Sequence, residues 1–302
     1  MVEEVTPLRT RVYVDGYNLY YGCLKGTHYK WLDLLTLFEK QILPSSAPMA
    51  STLLPLGIKF FTAKILEKAA KAHDSVSSQA RYHTALRKLY EDRIELIEGY
   101  YSLIESKARL VDMNAPDTWP RDCKQTLVWK LEEKQSDVNL SLHAYHDAIT
   151  NEVDQVVIVT NDTDIAPALK LIRSHTKVKI GLVIPTRLNE RGPNTELAEL
   201  AHWIRSHINQ TELAASQLPR VITGRKPTIK PESWYARPDL LNKVLNLATP
   251  VVGSRGKAFK WMEEENQYLN GSAPIDLIET DAGATQVIAY IEQYLKDRAG
   301  ND

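Results

Sequence analysis

The chain has 302 residues, room for two ordinary domains or one large one; 43% are apolar and 25% charged, which excludes a disordered, collagenous or coiled-coil protein. With 37 basic against 38 acidic residues the net charge is −1, as evenly spread before Val221 as after it, so bulk electrostatics draw the chain neither to nucleic acid nor to an anionic membrane. No apolar run approaches the ~20 residues that span a bilayer, the polar start MVEEVTPLRT does not read as a secretory signal, and Cys23 and Cys123 have neither paired nor metal-knuckle spacing. The expectation is a cytoplasmic protein with reduced thiols and no membrane partner.

In chain order, Arg11 to Val14 reads as a short strand stopped by Asp15-Gly16. Trp31, Leu34, Leu35, Phe38 and Ile42 follow helical spacing. Ile58 to Ile65 is a strand, Val76 to Tyr90 a helix, and Ile94 to Ser102 and Leu127 to Lys130 are further strand candidates. A helix from about Asp137 is expected to bury Val138, Leu142, Tyr145 and Ile149. Gln155 to Thr160 is a continuous apolar strand of the kind buried on both faces. A helix from Asp164 uses Ile165, Leu169 and Ile172; Val178 to Ile184 is another strand; Thr195 caps a helix with Leu197, Leu200, Ala201 and Ile204. Strands alternating with helices predict an α/β three-layer sandwich around a mainly parallel sheet. A Pro- and Gly-bearing stretch at 223–233 then reads as a linker, and the chain beyond it is helical throughout. The expected division is a first domain at 1–222, the linker, and a small all-α domain at 234–302.

Acidic residues fall just beyond the two most convincing parallel strands: Asp15, with Asn18 three residues on, and Asp162 with Asp164. Ligands of open parallel sheets sit in the crevice beyond these carboxyl ends. Asp137 opens an amphipathic helix, with Glu132 and Glu133 nearby. Singly, each of these residues is an ordinary turn or cap residue; together they suit a hard cation, Mg²⁺ or Mn²⁺. No GxxxxGK[ST] loop is present, and a haloacid-type phosphatase would need an acid where Tyr17 stands. The eight histidines are scattered without zinc-ligand spacing. Arg81 and Arg87, with Lys88, Tyr82 and Tyr90, either grip phosphates and bases or form a solvated helix face. Tyr17, Tyr20 and Tyr21 are stacking platforms or core, and Arg187 and Arg191 occupy a loop at the rim.

VYVDGYNLYYGCLKG (12–26), EEKQSDVNLSLHAYHDA (132–148) and VVIVTNDTDIAPAL (156–169) resemble the signature blocks of the NYN domain, a branch of the PIN-like nuclease superfamily. The resemblance runs from about Arg11 to Ser206. It implies a Mg²⁺- or Mn²⁺-dependent ribonuclease acting on single-stranded or structured RNA, with Asp15, Asp137, Asp162 and Asp164 holding metal and Asn18 assisting. Tyr17, Arg81, Arg87 and Arg187 are then the expected RNA contacts. YGCLKGT (21–27) and KPESW (230–234) are similar to one subgroup described as 6-hydroxy-3-succinoylpyridine monooxygenases, which is the rival reading. That rival would ordinarily need a flavin and a reduced nicotinamide, yet the 13 glycines never form GxGxxG. A non-catalytic RNA-binding module is the third class, and it would predict loss of carboxylates that are all present.

AFKWMEEEN (258–266), LNGSAPIDLIET (269–280) and AGATQVIAYIEQYL (282–295) resemble the toxin-binding domain of the MbcA/ParS/Xre antitoxins. That implies capture of a partner protein or self-association through 234–302, in a homo-oligomer and in a defence or toxin–antitoxin setting. The last helix is expected to offer Val287, Ile288, Ile291 and Leu295 to that partner.

Overall fold

In a computed structural model, which describes residues 6–111 and 113–299, contacts divide the chain into one unit ending at Ile229 and another beginning at Lys230. The first starts with β1 (Leu8–Asp15), α1 (Gly16–Leu19) and a π-helical turn at Tyr20–Leu24. A helical segment comes next as α2 (Leu34–Thr36), a π-helical stretch and α3 (Leu43–Ser46); then come β2 (Ser51–Lys64), α4 (Ser75–Leu89), β3 (Ile94–Arg109) and β4 (Gln125–Lys134). The remainder is α5 (Ser136–Ile149), β5 (Gln155–Val159), α6 (Ala166–His175), β6 (Lys179–Val183), α7 (Thr195–Leu200), β7 (Trp203–Arg205), α8 (Gln210–Ala215), β8 (Val221–Ile222) and β9 (Thr228–Ile229).

The sheet has seven strands in the order β4-β3-β2-β1-β5-β6-β7, all parallel except β4, which runs antiparallel along β3 at the edge. Helices cover both faces, the three-layer α/β sandwich expected of alternating strands and helices. On one face Tyr13, Phe61, Ile158, Ile180 and Leu182 pack against Leu140 and Ala144 of α5 and Leu169 and Ile172 of α6. On the other, Phe60 meets the Tyr82 ring of α4 at 6.4 Å, and Tyr82 meets Trp31 at 6.0 Å. The stretch expected to be a linker, 223–233, carries β9, which pairs antiparallel with β8 just before it, and Lys88 of α4 donates to Thr228 Oγ1 at 2.8 Å there. The helix expected to include Ile204 stops at Leu200, and Ile204 lies in β7.

One face assignment is reversed. Val138 and Leu142 are each 60% exposed and Ile149 is exposed, whereas Leu140, Ala144, Asp147 and Ala148 are buried. The two stripes differ by two residues, about 200° around a helix. The cause is Asp147. Its Oδ2 accepts from the Tyr13 hydroxyl at 2.7 Å and pairs with Lys59 Nζ at 2.8 Å and an Arg11 guanidinium nitrogen at 3.0 Å. Tyr13 on β1 and Lys59 on β2 are register partners, so their side chains share the sheet face that α5 covers. Lys59 also meets His143 Nδ1 at 3.2 Å. A buried lysine must be paired; Glu95 of β3 stands at 4.0 Å, and only one rotation of α5 supplies the closer partner, Asp147.

In the second unit, α9 (Pro238–Val252), α10 (Arg255–Glu263), α11 (Pro274–Leu277) and α12 (Asp281–Ala299) enclose a core that includes Leu241, Val244, Leu245, Met262 and Ile275. Here too an expectation changes: Val287 and Ile291 of α12 are buried in this unit's own core and Ile288 packs against it, which leaves Leu295 exposed. Among the described residues no helix is long and apolar enough to cross a membrane.

Removing the carboxylate at Asp147 takes from a buried lysine its close anionic partner, so Asp147→Ala is expected to lower the urea unfolding free energy by about 3–5 kcal/mol. Leu142→Ser, on the outward stripe, is expected to change it by less than about 0.5 kcal/mol.

Candidate functional site

At the carboxyl end of the sheet lies a cleft of about 380 Å³, within the ordinary range for small-molecule sites. Asp15, Asp137 and Asp162 all line it. Asp15, the last residue of β1, is the N-cap of α1. Its carboxylate accepts from the Asn18 backbone N–H at 2.9 Å, the Asn18 side-chain amide at 2.6 Å and the Thr160 hydroxyl at 2.8 Å. Gly16 is required next, because a Cβ there would sit 2.6 Å from the Phe61 carbonyl oxygen. Thr160 joins the two acidic corners, since its Oγ1 also accepts from the Asp162 N–H at 3.2 Å. Asp162 in turn caps the next helical turn through the Asp164 N–H at 3.1 Å. Asp137 arrives on the first turn of α5, just after Gln135, whose φ of 75° turns the chain sharply out of β4.

The carboxylates perturb one another. Burial raises Asp15 above the usual carboxylate range, against the pull of its three donors. Asp137 is raised further, to about 6, first by loss of solvent against the cleft walls and then by the charges of Asp15, Asp162, Glu133 and Asp164. Burial pushes the Cys23 thiol up to about 12, so it stays protonated and is no nucleophile.

The other wall is aromatic. Tyr17, Tyr20, Tyr21 and Tyr101 line the cleft with Leu131, Ile65 and Leu66. The Tyr17 and Tyr21 ring centroids are 4.4 Å apart, and Tyr20 meets Tyr21 edge-on at 5.2 Å. Tyr101 is hydrogen-bonded to Glu133. Two cations, Lys25 and Lys71, complete the lining. The π-helical turn that carries Tyr20 and Tyr21 presses against the chain at Pro185, whose carbonyl oxygen lies 1.7 Å from where a Cβ on residue 22 would stand, so Gly22 is obligatory.

Of the residues expected from the sequence, Asp15, Asn18, Asp137, Asp162 and Tyr17 meet in this cleft. Asp164 is exposed and does not line it, nor do Arg81, Arg87 and Arg187. Arg81 is exposed on α4, Arg87 pairs with Glu98 at 2.8 Å, and Arg187 donates to the Lys25 carbonyl at 2.7 Å. The sequence did not point to Tyr101, Lys25 and Lys71 as lining residues. Lys25 had a legible signal, four residues after Tyr21 on the same helical path; Tyr101 and Lys71 had none.

Residues 247–295 match the family model described as the antitoxin Xre/MbcA/ParS C-terminal toxin-binding domain. Over 297 residues, 96% of this chain and 95% of the relative, the sequence is 63% identical to the 6-hydroxy-3-succinoylpyridine 3-monooxygenase HspA of Pseudomonas putida. A crystal structure of a protein of unknown function from Vibrio parahaemolyticus aligns at 15% identity and a TM-score of 0.37, covering 72% of this chain and 100% of its own, a likeness too low to bear on fold or function. The 63% identity overturns the expected Mg²⁺- or Mn²⁺-dependent ribonuclease, and with it the hydrolase class and the metal cofactor; it agrees with the rival oxygenase reading. The geometry gives a physical reason: both Asp15 oxygens are taken by protein donors, and among the described residues no three carboxylate, imidazole or thiolate groups converge closely enough to hold a metal ion.

Because neighbouring charges contribute to its shift, Asp137 is expected to titrate near 6 in carboxyl-carbon NMR, and Asp15→Asn is expected to bring it down towards 3.8 without reaching it. The consequence for stability has a definite sign: a carboxyl raised in the folded state favours folding at low pH, and that contribution is lost as pH rises from 3.8 through about 6. Asp137→Asn is therefore expected to raise the thermal midpoint above pH 6 but not at pH 3.

Proposed function

The chain belongs to the family of the 6-hydroxy-3-succinoylpyridine 3-monooxygenase HspA, and from that membership we propose that it binds a small hydroxylated pyridine in the tyrosine-walled cleft and serves its monooxygenation there. The observation that carries this reading is the meeting, in one cleft, of a paired tyrosine platform with a carboxylate whose proton affinity lies near neutrality. Offset aromatic contacts suit a flat heteroaromatic ring. In 6-hydroxy-3-succinoylpyridine the hydroxyl is para to the carbon that bears the acyl group. Taking its proton pushes electron density onto that carbon, the position named in the relative's activity. Asp137 is the acceptor of that proton: a base that titrates near the working pH combines a largely ionised form with useful basicity. Asp15, held by its three donors, stands fixed in place beside it.

Inserting one oxygen atom and reducing the other to water takes two electrons, which flavins and reduced nicotinamides commonly supply. The cleft does not fit a resident dinucleotide. In open parallel sheets the phosphates sit at helix N-termini beyond the strands, and here the turns after β1 and β5 are capped by Asp15 and Asp162, whose charges repel a phosphate.

The NYN-like character of the first domain is kept as a reading of its scaffold, supported by the carboxylates after β1 and β5, without the nuclease chemistry. For 234–302 the reading is capture of a protein partner as a module separate from 1–222, supported by the toxin-binding family match over 247–295.

The test supplies the purified chain with 6-hydroxy-3-succinoylpyridine, reduced nicotinamide, free flavin and isotopically labelled dioxygen. One labelled oxygen atom is expected in the pyridine product. Asp137→Asn is expected to reduce turnover by about a hundredfold or more while substrate affinity stays within a few-fold. Substrate left unchanged by the wild-type chain contradicts the proposed activity, and full turnover by Asp137→Asn removes Asp137 from it.

A further inference from the structure

Along the helical path that leaves β1, Tyr17, Tyr21 and Lys25 recur every four residues and all line the cleft. The four-residue spacing brings them to one side of this path, with Lys25 at the cap of the π-helical turn. Contacts join them into a row: the Tyr17 and Tyr21 rings are 4.4 Å apart, and Lys25 Nζ stands 4.6 Å from the centre of the Tyr21 ring. The row begins at Asp15, the cap of α1, so it passes from anion through two aromatic faces to a cation. The cationic end is braced. The Lys25 N–H donates to the Tyr20 carbonyl at 2.7 Å, and Arg187 donates to the carbonyls of Cys23 at 3.4 Å and Lys25 at 2.7 Å. A second cation, Lys71, lines the same cleft.

A ligand matching this order has an ionisable hydroxyl at one end, a flat ring in the middle and a carboxylate on a short tail at the other. We propose that Lys25 is the specificity residue for the tail carboxylate, held in place by Tyr21 and by Arg187 acting on the backbone, with Lys71 as the auxiliary cation. The inference rests on the cleft being the site of the pyridine ring, and it adds which end of the substrate points where. Lys25 touches the tail and not the reacting atoms; Arg187 is a positioning residue.

Calorimetric titration of the full chain with two probes separates the possibilities. One probe is 6-hydroxy-3-succinoylpyridine; the other is 3-acetyl-6-hydroxypyridine, which keeps the ring, hydroxyl and ketone and lacks the carboxylate. The wild-type chain is expected to prefer the acid by about tenfold to a hundredfold, the size of one charge-assisted hydrogen bond. Lys25→Met is expected to remove that preference by weakening the acid alone, and Lys25→Arg to restore part of it. Equal affinity of the wild-type chain for both probes, or equal weakening of both by Lys25→Met, overturns the assignment of Lys25 and leaves the ring site standing. Failure of the wild-type chain to bind either probe overturns the ring site, and this inference with it.

Discussion

A single buried carboxylate, Asp147, sets the rotation of the helix on which the site depends. Lys59 is brought to the covered face of the sheet by its register with Tyr13, and it is nearly without solvent there. An unpaired ammonium in that position is far costlier than a few exposed apolar side chains. The helix therefore turns Asp147 inwards, with Leu140 and Ala144, and leaves Val138 and Leu142 outside. The same rotation brings Asp137, ten residues before Asp147, to the carboxyl end of the sheet beside Asp15 and Asp162. Packing, ion pairing and the acidic corner of the cleft are thus consequences of one constraint.

The acidic corner has a structural role as well as a chemical one. Asp15 and Asp162 cap the turns after β1 and β5, and Thr160 ties the two together. Both Asp15 oxygens already accept from protein donors, so that carboxylate competes weakly for a cation. Burial raises both Asp15 and Asp137, but Asp15 is held by three donors, whereas Asp137 is raised to about 6 by the cleft walls and by the neighbouring charges. Two acids with different surroundings therefore divide the work, one held in place by its donors, the other able to exchange a proton.

Much of this is legible in the sequence, for reasons that can be named. Continuous apolar runs such as Gln155 to Thr160 have no place but the middle of a covered sheet, and acids just beyond them mark the ligand-binding edge. The orientation of α5 is not legible, because hydrophobic periodicity assigns Val138, Leu142, Tyr145 and Ile149 to the core, and only the cross-strand register of Tyr13 with Lys59 reveals the rival claim of Asp147. One cation of the cleft is hidden for a related reason: Lys71 lies far from Asp15 in sequence and reaches the site through the fold alone. The chemistry is misassigned when residue types alone are weighed, because a cluster of acids then suits a metal. The hydrogen bonds that engage Asp15 belong to the folded chain, and the kinship with the oxygenase is carried in the sequence by two short segments, 21–27 and 230–234, that bear none of the site acids.

The central claim is that a hydroxylated pyridine lies on the tyrosine wall beside Asp137. Tyrosine-ring-labelled protein, titrated with 6-hydroxy-3-succinoylpyridine and followed by NMR, tests it most directly. The account predicts ring-current shifts at Tyr17, Tyr21 and Tyr101, with Tyr268 and Tyr294 of the second unit unmoved. Saturable binding that leaves Tyr17, Tyr21 and Tyr101 unshifted would contradict it.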